Sequence, residues 1–439
     1  MISLAHSLRE SPYVSYAYSY PHKTAYRPFE VPVRLEDAWA TEDKKSLFLY
    51  LHVPFCEMRC GFCNLFTTAN PNENIIVAYL DALKRQASEV RRALGDVSFA
   101  RLAIGGGTPT FLSAPELACL FDIAENIFDC KVDLIPASCE TSPLTADEAR
   151  LRVLRERGID RVSIGVQSFV EAEVRVIGRS QKTMIVEQAI ERIRMLGFPV
   201  LNLDLMYGLP GQTVDSWHVS LQSALRFEPE EIYLYPLYVR PLTGMSQQAK
   251  EWDDIRLACY REGRALLLNS DYEQISMRMF RSRRVAKPDG AVYCCQDDGM
   301  VGLGCGARSY TRKLHYSSEY AVAAKGVQGI IESFIKTTTH SFNFAEYGFW
   351  LSKDEERRRF VVKSLLRADG LELDAYQARF RRSAIEDFPQ LVELTSEGLA
   401  VFDSETLKLS VAGLELSDAI GPWLYSSHVH DLMKNYELR

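Results

Sequence analysis

The chain has 439 residues, 47% hydrophobic and 25% charged, with 25 Gly, 18 Pro and 10 Cys, which excludes disorder, collagen-like repeats and a disulfide-dense miniature scaffold. Its 58 acidic and 51 basic residues leave a net charge of −7, which favours neither nucleic acid nor an anionic membrane as partner. MISLAHSLRESP lacks the basic and apolar regions of a secretory signal, and no apolar run approaches the ~20 residues of a bilayer span, so a cytoplasmic protein is expected.

Residues 1–45 are rich in aromatics and Pro (SPYVSYAYSYPHKTAYRPFE) with no sustained helix or strand period, and read as an ordered arm on a larger body. Tyr13, Tyr16, Tyr18, Tyr20, His22, Lys23 and Tyr26 of this arm either cover a barrel mouth or only pack on the barrel as an aromatic clamp. From Leu47 the pattern becomes regular. LFLYLHV (47–53) is apolar and β-prone, an amphipathic helix follows over about 74–94, and FARLAIGGG starts the next strand near 99. A helix occupies about 114–128, VDLIPASCE (132–140) reads as strand, and TADEARLRVLRERG (145–158) as a helix with Thr145 at its N-cap. RVSIGVQS (161–168), PVLNLDLMYG (199–208) and EIYLYPLY (231–238) read as strands, with helices near 183–196 and 213–226 between them. Six such units in one run predict an α/β fold with parallel strands, a barrel or partial barrel rather than a sandwich.

Beyond Tyr238 the alternation loosens. A helix is expected near 247–269, then one more strand in DYEQISMRMF, while the Gly-rich GMVGLGCGARSY (299–310) reads as loop. From about 320 helices dominate, with a small β element near 399–410; LVELTSEGLAVF and LKLSVAGLELSD follow the helix–strand–strand order of a winged helix. The expected domains are an arm over 1–45, a barrel with a Gly-rich extension over 46–318, and a C-terminal domain over 319–439. The charge run KDEERRRF (353–360) reads as a solvated helix face, and His428 and His430 as surface residues.

The most informative stretch is LYLHVPFCEMRCGFCNLF (49–66), which spaces Cys56, Cys60 and Cys63 as C-x3-C-x2-C directly after a strand. Three thiolates can hold three irons of a [4Fe–4S] cluster, leaving the fourth iron open to chelation by an amine and a carboxylate, as an amino acid offers. The alternative, zinc, normally takes four ligands, and no fourth Cys or His lies nearby; His52 reads as a barrel residue. Such clustered thiols suit a reducing cytosol. Further polar groups close successive strands: GGGTPT (105–110), Glu140, Gln167 with Arg179 beyond it, and Asp204 in NLDLMYGLPGQT. Taken singly, the glycines make a tight βα loop, Gln167 a satisfied barrel polar group and Asp204 a loop cap. Together, behind the cysteine motif, they point to one site at the C-terminal strand ends, where barrel active sites gather.

GLGCGA (302–307) fits the dinucleotide fingerprint G-x-G-x-x-A, but a polar loop precedes it and Lys/Arg/Tyr-rich sequence follows, so nicotinamide binding is not expected. Cys294, Cys295 and Cys305 flank the turn-rich QDDGMVGLG, and three readings stay open. They hold an auxiliary iron–sulfur cluster, or line or pack a substrate pocket, or one thiol donates a hydrogen atom to a substrate radical.

These motifs, in this order, resemble the radical S-adenosylmethionine (SAM) superfamily, and within it the HemN-like branch of oxygen-independent coproporphyrinogen III oxidases and their haem-chaperone relatives. The resemblance runs over nearly the whole chain, from YPHKTAYRP to LTSEGL. It implies a partial (β/α)6 TIM-like radical SAM barrel with a mostly helical, winged-helix-like C-terminal domain. It also implies a [4Fe–4S] cluster on Cys56, Cys60 and Cys63, and one or two molecules of SAM. Family members place the matches of Tyr50 and Phe62 around cluster and SAM, those of Gly106, Gly107 and Thr108 against the SAM amino group and backbone, and that of Glu140 on the ribose hydroxyls. The matches of Gln167, Arg179 and Asp204 contact a second SAM in the coproporphyrinogen oxidases. The implied chemistry is reductive cleavage of SAM to methionine and a 5′-deoxyadenosyl radical that abstracts hydrogen, the cofactor performing the hard step. A one-electron donor such as flavodoxin or ferredoxin is implied as partner, beside a small-molecule substrate.

Two departures bear on the reaction. The oxidases carry a fourth Cys two residues after the third, where this chain has Leu65. The haem chaperones have an HNxxYW segment before the Gly-rich loop, where this chain has YCCQDDGM (293–300). HSFNFAEYGFW (340–350) lies after that loop, and no haem role passes to His340. The leading expectation is methyl or methylene transfer from SAM. Behind it stand sulfur insertion through an auxiliary cluster on the second cysteine group, oxidative decarboxylation of coproporphyrinogen III, and a non-enzymatic haem-binding chaperone.

Overall fold

The alternation of β-prone runs with amphipathic helices builds a parallel sheet. The computed structural model describes residues 4, 8, 11–247, 255–286, 293–403 and 405–438. Its first strands are β1 (Arg27–Arg34), β2 (Leu47–Val53), the short β3 (Phe55–Cys56) and β4 (Thr68–Ala69), β5 (Phe99–Gly106), β6 (Ala137–Thr141), β7 (Arg161–Gln167), β8 (Val200–Tyr207) and β9 (Glu231–Pro236). Then come β10 (Tyr272–Gln274), β11 (Met279–Ser282), β12 (Met300–Leu303), β13 (Arg308–Tyr310), β14 (Leu314–Ser317) and β15 (Phe344–Trp350). The tail adds β16 (Leu371–Glu372), β17 (Ala400–Phe402) and β18 (Thr406–Leu409).

All six strands of the alternating run form, as β2, β5, β6, β7, β8 and β9, adjacent in that order and parallel. Between them run the helices Glu73–Leu94, Ala114–Asp122, Glu148–Glu156, Thr183–Met195 and Val214–Leu225. Side-chain caps start three of these: Asn72 accepts from the Ile75 amide, Asp147 from Arg150, and Thr213 from Ser216. Strand residues such as Leu49, Leu51, Ile104, Val162, Ile164, Leu203 and Leu234 are buried with the helix residues Leu83, Leu120, Ile190 and Leu221. Each such burial is worth roughly 1.5–3 kcal/mol before entropy is counted. Alternate residues face the opposite way, into a lumen.

Pairing continues into one mixed sheet ordered β1-β15-β14-β13-β12-β2-β5-β6-β7-β8-β9-β11-β10, with β1 and β10 at its two ends, so the barrel is partial and open. Several local expectations need correction. The Gly-rich stretch 299–310, read as loop, supplies β12, parallel to β2, and β13, antiparallel to β12. Gly302 is needed there because a Cβ would collide with the Arg308 carbonyl across the pair. DYEQISMRMF forms a hairpin, β10 and β11, in place of one strand. Within 132–140 the first residues make a 3-10 turn, Val132–Leu134, and strand begins at Ala137. The next helix takes Asp147 as its N-cap, while Thr145 hydrogen-bonds Thr110 at 2.6 Å. The helix expected over 247–269 is Arg256–Asn269, and 248–254 lie outside the described residues.

The tail places the helix Leu391–Ser396 before β17 and β18, in the order read from the sequence. Its core of Leu371, Tyr376, Leu391, Leu407 and Ile420 also takes in Ala17, Tyr20, Ala25 and Tyr26 of the arm. Sheet hydrogen bonding crosses the expected divisions at 45/46 and 318/319: β1 pairs with β15, and β15 with β14. KDEERRRF is not a solvated face. Glu355 and Arg359, one turn apart on the helix Lys353–Leu365, are only 4% and 0% exposed. Glu355 accepts from Tyr20 Oη of the arm and from Ser426 Oγ, and Arg359 meets His315 Nε2 at 3.0 Å and Asp297 at 3.3 Å. Buried charges persist only when so partnered. His428 and His430 are exposed, as read. Among the described residues no helix is long and apolar enough to cross a membrane.

Candidate active site

Residues paired across neighbouring strands face the same side of a sheet. The register aligns Glu140, Ser163, Asn202 and Glu231 in one row and Gly165, Asp204 and Tyr233 in the next. At the floor of the lumen Arg161 donates to Glu231 at 2.7 Å and to Ser163 Oγ at 2.6 Å, and Asn202 donates to Asp204 at 2.8 Å. Tyr233 and Tyr235 stack above them with centroids 5.9 Å apart. Glu140 is accessible from the lumen yet enclosed by its walls, and burial pushes its carboxyl up to about 7 against a Gly106 amide that donates to it at 3.1 Å. Burial likewise raises Asp204 to about 6, opposed by Asn202 and by the charge of Arg161.

Beyond β2 the chain turns, and β3 pairs with β4 to bring Cys56 beside the strand ends. Cys56 Sγ lies 3.0 Å from Thr67 Oγ1 and 3.5 Å from Thr108 Oγ1. Gly107 is required at this approach: a Cβ would stand 2.9 Å from Cys56 Sγ and 2.5 Å from the Phe55 carbonyl. The loop of Cys60 and Cys63 is clamped through its backbone. Gly61 N donates to Ile177 O at 2.8 Å, Met245 N donates to Gly61 O at 2.9 Å, and Cys63 N donates to Cys60 O at 3.0 Å. Burial pushes the Cys56 thiol up to about 12 and also raises Cys60 and Cys63, with Arg179 opposing the rise at Cys60. The three cysteines feel one another's charge, Cys63 acting on Cys56 and Cys60 on Cys63. Without metal they are thiols, so binding iron must release their protons. Among the described residues no three His, Cys, Asp or Glu side chains converge as ligands of a single ion. Cys56 on β3 and Cys60 and Cys63 on the loop that follows are three thiols within eight residues, a donor set that suits three irons of a cluster.

At the end of β7 a bulge between Gly165 and Gln167 holds Gln167 in the left-handed region at φ 69°. A non-glycine residue kept there is strained, and such strain clusters at functional sites. Arg179 donates to Gly165 O at 2.6 Å and to Gln181 Oε1 at 2.8 Å, and its charge reaches both Cys60 and Asp204. Tyr50 Oη lies 3.2 Å from His52 Nδ1, and His52 Nε2 is 3.2 Å from Phe66 O. Burial pulls His52 down to about 4, so it is a neutral wall residue. Phe62 packs on the rim cluster of Met206, Leu237 and Met245, beside Tyr235.

The second cysteine group does not converge. Cys295 precedes β12 and Cys305 follows it, so a whole strand separates them. Cys305 is 1% exposed and faces Tyr79, whose Oη donates to His52 O at 2.7 Å. GLGCGA forms the turn of the β12–β13 hairpin, and no helix follows it. His340 sits in a 3-10 turn packed on the outer helix Glu73–Leu94, away from the lumen.

Sequence reasoning missed the Arg161–Glu231 pair and two arm contacts. Tyr16 lies against Arg278, 3.8 Å from ring centroid to guanidinium, and Arg278 pairs with Asp418 of the tail. Tyr18 takes a hydrogen bond from Arg308. No local motif marks these residues, because their partners are far apart in sequence.

Residues 50–224 match the radical SAM superfamily and residues 351–416 the HemN C-terminal domain. An oxygen-independent coproporphyrinogen III oxidase of Escherichia coli is 26% identical over 434 residues, covering 91% of each chain. The chain belongs to the HemN-like radical SAM family. This HemN-like protein is also 36% identical over 197 residues to the haem chaperone HemW of Bacillus subtilis, a match covering 44% of its length and 51% of that relative. The solved structure of E. coli coproporphyrinogen III oxidase (HemN) shares its fold, with a TM-score of 0.80 and 23% identity over 93% of this chain and 96% of that one. The protein is therefore a radical SAM enzyme, a family that works with a [4Fe–4S] cluster and SAM.

Proposed function

We propose that this HemN-like enzyme holds its cluster on Cys56, Cys60 and Cys63 and SAM among Tyr50, Phe62, Gly106, Gly107, Thr108 and Glu140. A small-molecule substrate enters the lumen beside Gln167, Arg179 and Asp204. The observation that carries this reading is that the cysteine segment, the Gly105–Thr108 turn, Glu140 and the Arg179–Asp204 wall lie against one another in a chain of neighbours. When bound, the reduced cluster supplies the electron that cleaves the SAM sulfonium. The amides of Gly107 and Thr108 are already engaged by Val53 O and Phe55 O at 2.8 and 2.7 Å, so the turn offers carbonyl oxygens to an ammonium group. Glu140 accepts from ribose hydroxyls. Tyr16 and Tyr18 of the arm help to exclude water.

The specific reaction proposed is oxidative decarboxylation of coproporphyrinogen III, supported by relatives of matched length that carry that name. Leu65, half exposed where the oxidases have a Cys, is the feature this reading must survive. Methyl or methylene transfer and sulfur insertion draw no support from these relatives. A flavodoxin or ferredoxin in the cytoplasm is the proposed electron source. The test is anaerobic turnover of the reconstituted protein with SAM, dithionite and coproporphyrinogen III. Substrate-dependent 5′-deoxyadenosine and a product lighter by carbon dioxide and two hydrogens for each propionate turned into a vinyl group are expected. Tight haem binding with no substrate-dependent SAM cleavage would replace the oxidase reading with that of a haem chaperone, the function named for the B. subtilis relative.

A further inference from the structure

The arm and β13 set a group of cations with no carboxylate partner among the described residues beside the lumen. Arg308 uses Nη1 to donate to Tyr18 Oη at 3.0 Å and Ser19 Oγ at 3.2 Å, and its Nε and Nη2 meet no acceptor among the described residues. Lys23 Nζ stands 3.6 Å over the Tyr320 ring and likewise has no hydrogen-bond acceptor among them. Tyr320 Oη donates to Asn64 O at 2.6 Å, which ties this group to the loop of Cys63. Arg240 belongs to the same field: after burial, Lys23, Arg308 and Arg240 are what depress His22. Among the described residues no carboxylate forms an ion pair with Lys23, Arg308 or Arg240; the groups that offset Arg308 are Tyr18, Tyr310 and Tyr26, and those that offset Lys23 are Tyr18 and the thiol of Cys63.

Cations drawn out of water without a counter-charge are costly. The unused Nε–Nη2 edge of a guanidinium is the fork that receives a carboxylate through two parallel hydrogen bonds. On the other wall, β6 and β8 carry Glu140 and Asp204, with Tyr50 lying in the field of both Glu140 and Arg308. An acidic group entering the lumen is therefore drawn toward the arm. We propose that Arg308, Lys23 and Tyr18 form a subsite for one carboxylate of an acidic substrate. This rests on the lumen being the substrate's place, and not on that substrate being a porphyrinogen.

The test uses the full chain with its cluster reconstituted. Lys23 is exposed to an amine-acylating reagent, and its modification is read by peptide mass mapping in the presence of citrate, SAM or coproporphyrin III. Citrate and coproporphyrin III are expected to protect Lys23, the tetramethyl ester of coproporphyrin III is not, and Arg308→Met is expected to remove the protection. Binding of coproporphyrin III weakens about tenfold or more in Lys23→Met and in Arg308→Met, as loss of a charge-assisted hydrogen bond requires. Lys23→Arg retains binding, and SAM affinity and iron content stay at wild-type levels. The subsite is overturned if neither acid protects Lys23, or if the ester binds as tightly as the acid. It is also overturned if SAM affinity falls in Lys23→Met, which assigns the carboxylate to the methionine tail of SAM. A loss of iron with acid binding intact assigns the cations to the cluster instead. If coproporphyrin III fails to bind wild type while citrate still protects Lys23, the porphyrinogen reading falls and the subsite stands.

Discussion

Leu203 and Asp204 are neighbours on β8, yet Leu203 is fully buried under helices while Asp204 opens into the lumen with its carboxyl raised to about 6. The same split separates Leu49 from Tyr50 on β2 and Ile232 from Tyr233 on β9. The outer face is aliphatic and holds the sheet to its helices. The inner face is polar and holds what the chemistry needs. Stability and activity thus lie on alternate residues, and single substitutions can separate them.

The largest effect expected is on iron. Cys60→Ala or Cys63→Ala removes the about four irons of a single cluster and abolishes SAM cleavage, whereas Cys305→Ala, on the helix-facing side against Tyr79, leaves iron and sulfide unchanged. Iron loss in the Cys305 variant would erase the distinction between the faces. Next, Leu203→Ala is expected to cost about 2–5 kcal/mol in denaturant unfolding with SAM affinity unchanged, since it empties core volume and touches nothing in the lumen. Glu140→Gln reverses that pattern: SAM affinity falls by about tenfold in equilibrium dialysis, with no loss of stability near pH 8.

The smallest effect is a pH dependence. Glu140 rises from 4.5 to about 7 on folding and Asp204 from 3.8 to about 6, so the folded chain holds protons that the unfolded chain releases. Their stabilising contribution is complete below the unfolded values and is lost as pH rises through the folded ones. The melting temperature of the cluster-free protein is expected to fall between about pH 5 and 8, and Glu140→Gln to flatten the upper part of that decline.

The parallel run was legible because apolar stretches of strand length alternate with capped amphipathic helices. The residues at the strand ends were legible because their types are unusual in such positions; the cysteine spacing was the strongest signal. β12 was hidden by its glycines, which read as loop although Gly302 serves close strand packing. The burial of Glu355 and Arg359 was hidden because an acid and a base one turn apart describe a solvated helix equally well. Only Tyr20 and His315, distant in sequence, reveal the inward direction. The cations of Lys23 and Arg308 carry no local pattern at all, and what marks them is the lack of a carboxylate partner among the described residues.

The arm's partners are made late. Tyr20 bonds Gln296 and Glu355, 276 and 335 residues downstream, and the amide of Ser15 donates to the carbonyl of Asp418. On the ribosome the arm emerges well before the residues it docks on. Until those distant partners exist, this wall of the lumen lacks the contacts that fasten it.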